Sequence, residues 1–221
     1  KILIHAGAGV DDADASGKRP IHAAADEGHV AVAACLLEHR ADLHSPAMDG
    51  TTALHAARGH LPFVQFLLGI GANVHAKDNT GVHVLHWAAA AGAPEIISSL
   101  VAHAADIHAR DQDGALPLHW AAANGQGLLA SELLRQRADV HATCNQGSTA
   151  MHWAASHGQW RMMEELEGWG ANIEAATLAG LTPYMFAALH GHDSVLKYLQ
   201  SAAARPVNVS RALWRAGRRK S

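Results

Sequence analysis

Histidine is the residue type in this chain that most clearly invites a chemical explanation, because 18 of the 221 residues are histidine. Imidazole can bind zinc, transfer protons near neutral pH or hold hydrogen bonds in a protein core. Two series of these histidines recur at a nearly constant interval of 33 residues. The first series is His22, His55, His86, His119 and His152, and the second is His44, His75, His108 and His141.

A metal site is the first function that such series suggest, but their spacing argues against it. Equivalent residues on neighbouring packed helices lie about 8–10 Å apart. Two imidazoles that share a zinc ion must each bring a nitrogen to about 2.0–2.1 Å from the metal. A ladder with one histidine per unit cannot converge in this way, so we expect structural histidines and neither a metal nor another cofactor. Metal binding by the histidine-rich loops is the less favoured alternative.

Catalytic motifs give no stronger signal. The glycine pairs at residues 7–9 and 125–127 lack the third glycine and the preceding strand of a dinucleotide-binding loop. The sequence contains neither a His-Glu-x-x-His zinc motif nor a Gly-x-Ser-x-Gly nucleophile elbow. We therefore predict that these residues form no enzyme active site.

The elements that position the histidines can be read from the unit at residues 78–110. Residues 78–81 have turn chemistry, and residues 83–91 form a helical run that Gly92 closes. Pro94 and Glu95 suit the first turn of a second helix, and Ile96, Ile97, Leu100 and Val101 follow at helical spacing. Each unit therefore reads as a turn, a short helix, a tight connection, a longer helix and a loop.

A glycine series supports the same register independently of the histidines. Each glycine precedes the histidine signature of its unit by a fixed offset: Gly17, Gly50, Gly81, Gly114, Gly147 and Gly180. The signature itself, Leu-His-Trp-Ala-Ala, occurs at residues 85–89 and 118–122, with a near copy at 151–155. Self-similarity at a fixed period of this length is typical of repeat architectures.

The units resemble the ankyrin repeat, whose motif begins Gly-x-Thr-Pro-Leu-His-x-Ala-Ala and ends Gly-Ala-Asp-Val-Asn. Good local matches are Gly-Leu-Thr-Pro at residues 180–183, Gly-His at 28–29, 59–60 and 191–192, and Gly-Ala-Asn-Val at 71–74. The resemblance covers residues 1 to about 204. It implies an all-α ankyrin-repeat solenoid of stacked helix-turn-helix pairs with projecting loops or β-hairpins.

The repeat register divides the chain as follows. We assign residues 1–14 to the C-terminal part of a truncated repeat and 15–46, 47–77, 78–110, 111–143, 144–176 and 177–204 to repeats 1 to 6. Residues 205–221 form a basic tail or capping helix. Because the chain begins within a repeat, we expect it to be a fragment of a longer protein.

Two departures from the family motif carry predictions. Repeat 2 is two residues short between His55 and Gly59, so we expect its first helix to lose about half a turn and its junction to be the weakest. The helix-start proline is present at Pro20, Pro117 and Pro183 and is replaced by Ala53, Val84 and Ala150.

The resemblance also assigns roles to both histidine series. The first series takes the family position at which histidine holds the helix start by hydrogen bonding. The second stands at the loop position where family members carry asparagine, a substrate of an asparaginyl hydroxylase. The resemblance therefore makes His44, His75, His108 and His141 candidates for modification.

Tryptophan supplies a further series, Trp87, Trp120 and Trp153. Exposed on a groove, these indoles would form a strong binding surface. The same position packs between repeats in many family members, so we favour a core role.

Charge separates the chain into two parts. Six of the 17 Lys and Arg residues lie in the tail, which leaves 11 against 20 Asp and Glu residues in the array. An acidic array is a poor nucleic-acid binder, because phosphate binding needs clustered basic residues. The tail carries an apolar stripe of Val209, Ala212, Leu213 and Ala216. It favours a cap on the last repeat, while a nuclear-targeting or anion-binding patch is the alternative.

Cys35 and Cys144 are far apart in the register and suggest no disulfide framework, which fits an intracellular, cytoplasmic or nuclear location. No apolar run of 18 residues is present, so we predict no membrane span in this fragment.

We predict a non-enzymatic scaffold that binds a protein partner through the concave face and loops of the array. The alternative is the targeting segment of a larger enzyme, such as a ligase, kinase or acyltransferase, whose catalytic domain lies elsewhere. By resemblance, the variable contact positions lie in the turns and at the ends of the first helices. They are mostly small, polar or acidic and favour a partner with a basic or hydrogen-bonding surface: Lys18, Asp26, Glu27, Met48, Asn79, Thr80, Gln112, Asp113, Asn124, Asn145, Gln146, Ser156 and His157.

Overall fold

The computed structural model describes residues 9–203 of the chain. Two compact units share these residues, one running to Gln112 and the other starting at Asp113. Residues 1–8 of the predicted truncated repeat at 1–14 and the whole predicted tail at 205–221 lie outside the described residues, as does Ala204. In the described part every regular element is a helix, as the fold prediction required.

The described residues of the first unit contain three pairs of helices. They are α1 (Pro20–Asp26), α2 (Val30–Glu38), α3 (Ala53–Ala56), α4 (Leu61–Gly69), α5 (Val84–Ala91) and α6 (Pro94–Ala102). In its described residues the second unit also contains three pairs. They are α7 (Pro117–Ala123), α8 (Gly127–Arg135), α9 (Ala150–Ser156), α10 (Trp160–Gly168), α11 (Pro183–Leu189) and α12 (Asp193–Ala203).

The first helix of each pair begins at the residue that the sequence predicted. The starts at Pro20, Pro117 and Pro183 use proline, which fits the first helical position because its missing N–H has no intrahelical partner there. The starts at Ala53 and Ala150 each follow a threonine with extended backbone. The turn chemistry of the sequence therefore locates these helix starts correctly.

Helix α3 is shorter than expected. It has four residues, whereas α1 has seven. Three residues are most of one helical turn, because a turn contains about 3.6 residues. The predicted loss of half a turn was therefore too small: the helix ends at Ala56, and the connection to α4 has four residues where that between α1 and α2 has three.

Small side chains in the first helices and leucines in the second helices build the core. Ala25 and Ala89 are fully buried in the first unit, and Ala122 and Ala155 are fully buried in the second. Alanine at these positions lets helix axes approach closely. A leucine of each second helix is also buried, at Leu36, Leu67, Leu100, Leu133, Leu166 and Leu199. Positions about 33 residues apart in the sequence are thus buried in the same way in successive repeats.

The loops contain less β structure than expected. Within residues 9–203 the predicted β-hairpins are reduced to two isolated antiparallel bridges, Lys77 with His83 and Thr143 with Thr149. Turn hydrogen bonds also hold the loops. The N–H of Thr51 donates to Oδ1 of Asp49 at 2.9 Å, and the N–H of Thr80 donates to Oδ1 of Asp78 at 2.8 Å.

Candidate protein-binding site

The histidines of the first series hold the start of the first helix in repeats 1 to 5. In every case Nδ1 of the ring accepts the backbone N–H of the residue just before the helix. For His22 the donor is Arg19 at 3.1 Å, and for His55 it is Thr52 at 3.2 Å. His86, His119 and His152 accept from His83, Leu116 and Thr149, each at 3.1 Å. An N–H at a helix start has no intrahelical acceptor, so the ring supplies one.

The second nitrogen of these rings reaches the next repeat. Nε2 of His22 lies 3.2 Å from the carbonyl oxygen of Thr51, and Nε2 of His55 lies 3.2 Å from that of Val82. In the second unit, Nε2 of His119 lies 3.0 Å from the backbone carbonyl oxygen of Ser148, and Nε2 of His152 lies 3.1 Å from that of Leu181. Each of these rings therefore joins a helix start to the loop of the following repeat.

These contacts define the protonation state of the rings. Nδ1 accepts a hydrogen bond and so carries no proton, whereas Nε2 must carry one to donate to a carbonyl oxygen. The rings are therefore neutral, and burial lowers the pKa of His22, His55 and His152 below the ordinary value of 6.5. A metal ion could bind such a ring only by replacing one of its two backbone hydrogen bonds.

The tips of the loops are linked by backbone hydrogen bonds, one from each loop to the loop before it. In the first unit, the N–H of Met48 donates to the carbonyl oxygen of Ser16 at 3.0 Å, and the N–H of Asn79 donates to that of Asp49 at 2.8 Å. The N–H of Gln112 donates to the carbonyl oxygen of Thr80 at 3.0 Å. In the second unit, Asn145 donates to Asp113 at 2.9 Å and Leu178 to Gln146 at 3.1 Å. We call these bonds the loop ladder. They fix the backbone at the loop tips and leave most of the tip side chains at the surface.

The structure places the thirteen predicted contact residues on or near these tips and at the ends of the first helices. Lys18, Asp26 and Ser156 are half-buried, and Nζ of Lys18 lies 3.0 Å from Oδ2 of Asp26. The remaining ten are exposed: Glu27, Met48, Asn79, Thr80, Gln112, Asp113, Asn124, Asn145, Gln146 and His157. The set therefore forms a polar surface on each unit, with side chains that a partner can reach.

A model of the ankyrin repeat family, described as three copies of the repeat, matches residues 1–78, 58–144, 85–177 and 118–211. These overlapping matches cover most of the chain. The chain belongs to the ankyrin-repeat family.

Relatives of the chain are similar to it over one ankyrin stretch each. The nuclear factor NF-kappa-B p105 subunit of Gallus gallus is 39% identical over 82 residues, which are 35% of this chain and 8% of that protein. The neurogenic locus notch homolog protein 1 of Mus musculus is 40% identical over 93 residues, which are 41% of this chain and 4% of that protein. The neurogenic locus notch homolog protein 2 of Homo sapiens is 39% identical over 98 residues, 43% of this chain and 4% of that protein. The matched stretches thus span less than a tenth of each of these relatives.

Ankyrin repeats are in general protein–protein interaction modules without catalytic activity, and the family membership thus implies protein partners. Among residues 9–203, no helix has both the length and the apolar character needed to cross a membrane.

Two of the predicted contact residues also maintain the ankyrin stack. Nδ2 of Asn79 donates to the carbonyl oxygen of Met48 at 2.8 Å, and Nε2 of Gln112 donates to that of Asn79 at 2.6 Å. Sequence reasoning missed this second role, because the bonds depend on how closely successive loops approach. Substituting these two residues would disturb the fold as well as the surface.

A second set of ankyrin histidines closes the far ends of helices. Nδ1 of His39, His103, His157 and His190 lies 2.8–2.9 Å from the carbonyl oxygen four residues earlier. The bond at His39 also brings this ring beside Cys35 and Glu38, and the three side chains offer ligand atoms within 4.8 Å of one another. Sequence reasoning missed this cluster, although its spacing of three and four residues on one helix could have found it. The same helix-end bond recurs at three other histidines, so the cluster follows from capping without a metal.

A Gly-His pair joins neighbouring ankyrin repeats at their helix connections. Nε2 of His60 lies 3.0 Å from the backbone carbonyl oxygen of Asp26, and Nε2 of His192 lies 2.8 Å from that of Ser156. Each ring sits against the glycine of the preceding repeat, Gly28 or Gly158, where an added Cβ would come within 2.6 or 2.9 Å of Nδ1. Both glycines also have positive φ, so no other residue satisfies both the conformation and the space.

The loop histidines of the second series are exposed, all four of them: His44, His75, His108 and His141. The backbone N–H of each donates to an Asp or Asn side chain two residues earlier, at 2.8–3.0 Å. The rings are thus at the surface of rigid turns. Their modification by an asparaginyl hydroxylase remains a prediction, testable by a mass increase of one oxygen atom in peptides containing them.

The tryptophan series is half-buried at Trp87, Trp120 and Trp153. The guanidinium carbon of Arg58 lies 4.6 Å from the centre of the Trp87 ring, and the Trp153 ring meets the His119 ring edge-on with centroids 5.6 Å apart. The Trp87 and Trp153 rings therefore contact neighbouring repeats, and the core role favoured from the sequence stays a prediction.

Proposed function

We propose that this chain is a non-enzymatic scaffold that binds a protein partner through the loop tips and first-helix ends of its ankyrin repeats. The observation that carries the proposal is the loop ladder, which fixes the backbone at the tips while the side chains remain exposed. A rigid surface loses little conformational entropy when a partner binds, which favours affinity.

The partner's chemistry follows from the exposed side chains. Glu27 and Asp113 are acidic and exposed, and Asn124 and Gln146 add hydrogen-bonding groups. A basic or hydrogen-bonding protein surface complements this set, because complementary charge speeds association and excludes wrong partners. The excess of acidic residues in the array disfavours a nucleic-acid partner.

We also propose that the array works in the cytoplasm or nucleus. Cys35 and Cys144 are both free thiols, as expected in a reducing compartment. The similarity to a protein named a nuclear factor agrees with that location.

The test needs substitutions that change the surface without disturbing the ladder. Asp113 and Gln146 contribute backbone carbonyls to the ladder, and their side chains are exposed. The double variant Asp113→Arg, Gln146→Arg reverses or adds charge at two tips. The control variant Glu164→Arg, Ser194→Arg makes the same change in net charge on exposed positions of α10 and α12.

Affinity capture from cell lysate, followed by mass spectrometry, compares the full chain with both variants. We expect a protein that the parent and the control retain and that the tip variant loses, with circular dichroism showing that all three remain helical. Equal capture by all three would contradict binding through the tips.

A further inference from the structure

The last ankyrin repeat of the described chain presents an apolar face that no described element covers. On α11, Tyr184, Met185 and Leu189 are 43%, 49% and 77% exposed. The residues 33 positions before Tyr184 and Met185 are Met151 and His152, which are 0% and 1% exposed. Positions buried in the preceding repeat are therefore open in the last one. Exposed apolar patches of this kind on a folded domain usually mark a contact surface.

Met185, at the position equivalent to His152, indicates which kind of contact this face can make. In the preceding repeat, His152 donates from Nε2 to the carbonyl oxygen of Leu181 in the next repeat. Met185 stands at the equivalent position of the last repeat and has no N–H with which to make this bond. The face is therefore not built to receive another repeat in the same way. It is built for an apolar cover without a hydrogen bond.

Helix α12 ends beside this face. Helix α12 ends at Ala203, and Nε2 of Gln200 near that end lies 3.4 Å from the hydroxyl oxygen of Tyr184. The end of α12 therefore lies next to the apolar face, and the 18 residues that follow in the sequence are enough to span it.

The sequence of residues 204–221 has an apolar stripe at helical spacing, which is the pattern of a helix that packs on an apolar face. Val209, Ala212, Leu213 and Ala216 recur at intervals of three and four residues and would line one side of a helix. At 1.5 Å per residue this stripe is about 10 Å long, close to the roughly 8 Å between residues 184 and 189 along α11. Arg211 and Arg218 fall on the opposite side of such a helix and would stay in water.

We propose that residues 204–221 form an amphipathic helix whose apolar stripe packs on the exposed face of α11 and closes the array. This inference is independent of the proposed partner binding, because it concerns the end of the stack and not the loop tips. The basic side of the helix then remains available at the surface.

The test uses the full chain and two variants that introduce the same side chain. Leu213→Gln removes an apolar group from the stripe, whereas Arg211→Gln changes the opposite side. Hydrogen–deuterium exchange of residues 184–189 is the measurement. We expect Leu213→Gln to speed exchange there several-fold and Arg211→Gln to leave it at the parent rate. Equal exchange in all three proteins would overturn the proposal.

Cysteine cross-linking provides a second measurement that does not depend on stability. In a Cys35→Ser, Cys144→Ser background, Leu213→Cys is combined in turn with Tyr184→Cys, Met185→Cys or Leu189→Cys. A disulfide requires Cβ atoms about 3.5–4.5 Å apart, so an intramolecular bond in any pair supports the docked helix. Cross-links only between molecules would show that a second copy covers the face, and no cross-link in any pair would show that the tail lies elsewhere. Either result would overturn the proposal.

Discussion

At the scale of single residues, the buried histidine rings make the free energy of unfolding depend on pH. A proton added to Nδ1 of His22, His55 or His152 would face a backbone N–H, so that two donors would point at each other within a buried site. Burial accordingly lowers the pKa of these three rings below 6.5. Below pH 6.5 the unfolded chain binds protons that the folded chain does not, so the free energy of unfolding decreases as the pH falls.

We expect each of these rings to cost up to about 1.4 kcal/mol for every pH unit below 6.5, until its lowered pKa is reached. Urea denaturation at pH 7.5 and pH 5.5 measures the effect as a lower midpoint in acid. The control variants His75→Asn and His108→Asn change exposed rings and should keep the same pH dependence. A midpoint that is constant between these two pH values would contradict the neutral, doubly bonded state of the rings.

Left-handed backbone at a residue other than glycine is a second feature at this scale. Ala104 has φ of 66°, whereas Gly71 and Gly170 occupy the equivalent position of other repeats. The left-handed conformation costs an L-residue roughly 1–2 kcal/mol, and glycine avoids this cost. We expect Ala104→Gly to stabilise the protein by about 0.5–1 kcal/mol, because part of the gain is offset by the greater freedom of glycine in the unfolded chain.

The matched control is Ala31→Gly at an exposed position inside α2, which should destabilise by about 1 kcal/mol. Urea midpoints of the two variants should therefore move in opposite directions. If both variants lose stability equally, the left-handed conformation at residue 104 is not strained.

At the scale of elements, the close packing between the first helices excludes a charged side chain from the buried positions. Ala122 of α7 is fully buried. An ionised carboxylate placed there would have no water and no partner, which is costly. We expect Ala122→Asp to destabilise by more than about 3 kcal/mol, near the upper end of single-residue effects, and Ala122→Ser to cost less. Thermal melting followed by circular dichroism compares the two, and a parent-like curve for Ala122→Asp would refute the assigned helix face.

The short helix α3 is the element with the least local support in the first unit. Its four residues close fewer backbone hydrogen bonds than the eight residues of α5. Local opening is easiest where few such bonds must break. Amide exchange should therefore be faster in residues 53–56 than in residues 84–91, at a pH where global unfolding is negligible. Equal protection would show that packing compensates fully for the missing turn.

The sequence determined the helix starts and the repeat period because each depends on local chemistry. Pro183 and Thr52 mark helix starts by their own backbone preferences, and the alanines beside each histidine mark the buried face. The side-chain bonds of Asn79 and Gln112 could not be predicted, because they depend on the distance between loops that are 31 or 33 residues apart. The loss of most of a turn in α3 was underestimated for the same reason: tertiary packing decides where a shortened helix ends.

The charge of the array, at the scale of the whole molecule, sets the expected kinetics of partner binding. Before the tail, 20 acidic residues face 11 Lys and Arg residues. Attraction between such a surface and a basic partner raises the association rate and is screened by salt, with a Debye length of about 10 Å at 0.1 M and 3 Å at 1 M. We expect the association rate constant of the captured partner to fall at least about tenfold between 0.02 and 0.5 M NaCl, and the dissociation rate constant to change less. Surface plasmon resonance measures both, and a salt-independent association rate would argue against a basic partner surface.

The bond from His55 to the following repeat survives the loss of two residues: Nε2 still lies 3.2 Å from the Val82 oxygen, across 27 residues instead of the 29 that separate His22 from Thr51. The acceptor is a main-chain carbonyl, which every amino acid provides whatever its side chain. The joint between repeats therefore places almost no demand on the identity of the incoming neighbour. Repeats joined in this way can be duplicated, exchanged or trimmed by recombination while the connection is inherited intact, which leaves the outward side chains free to diverge.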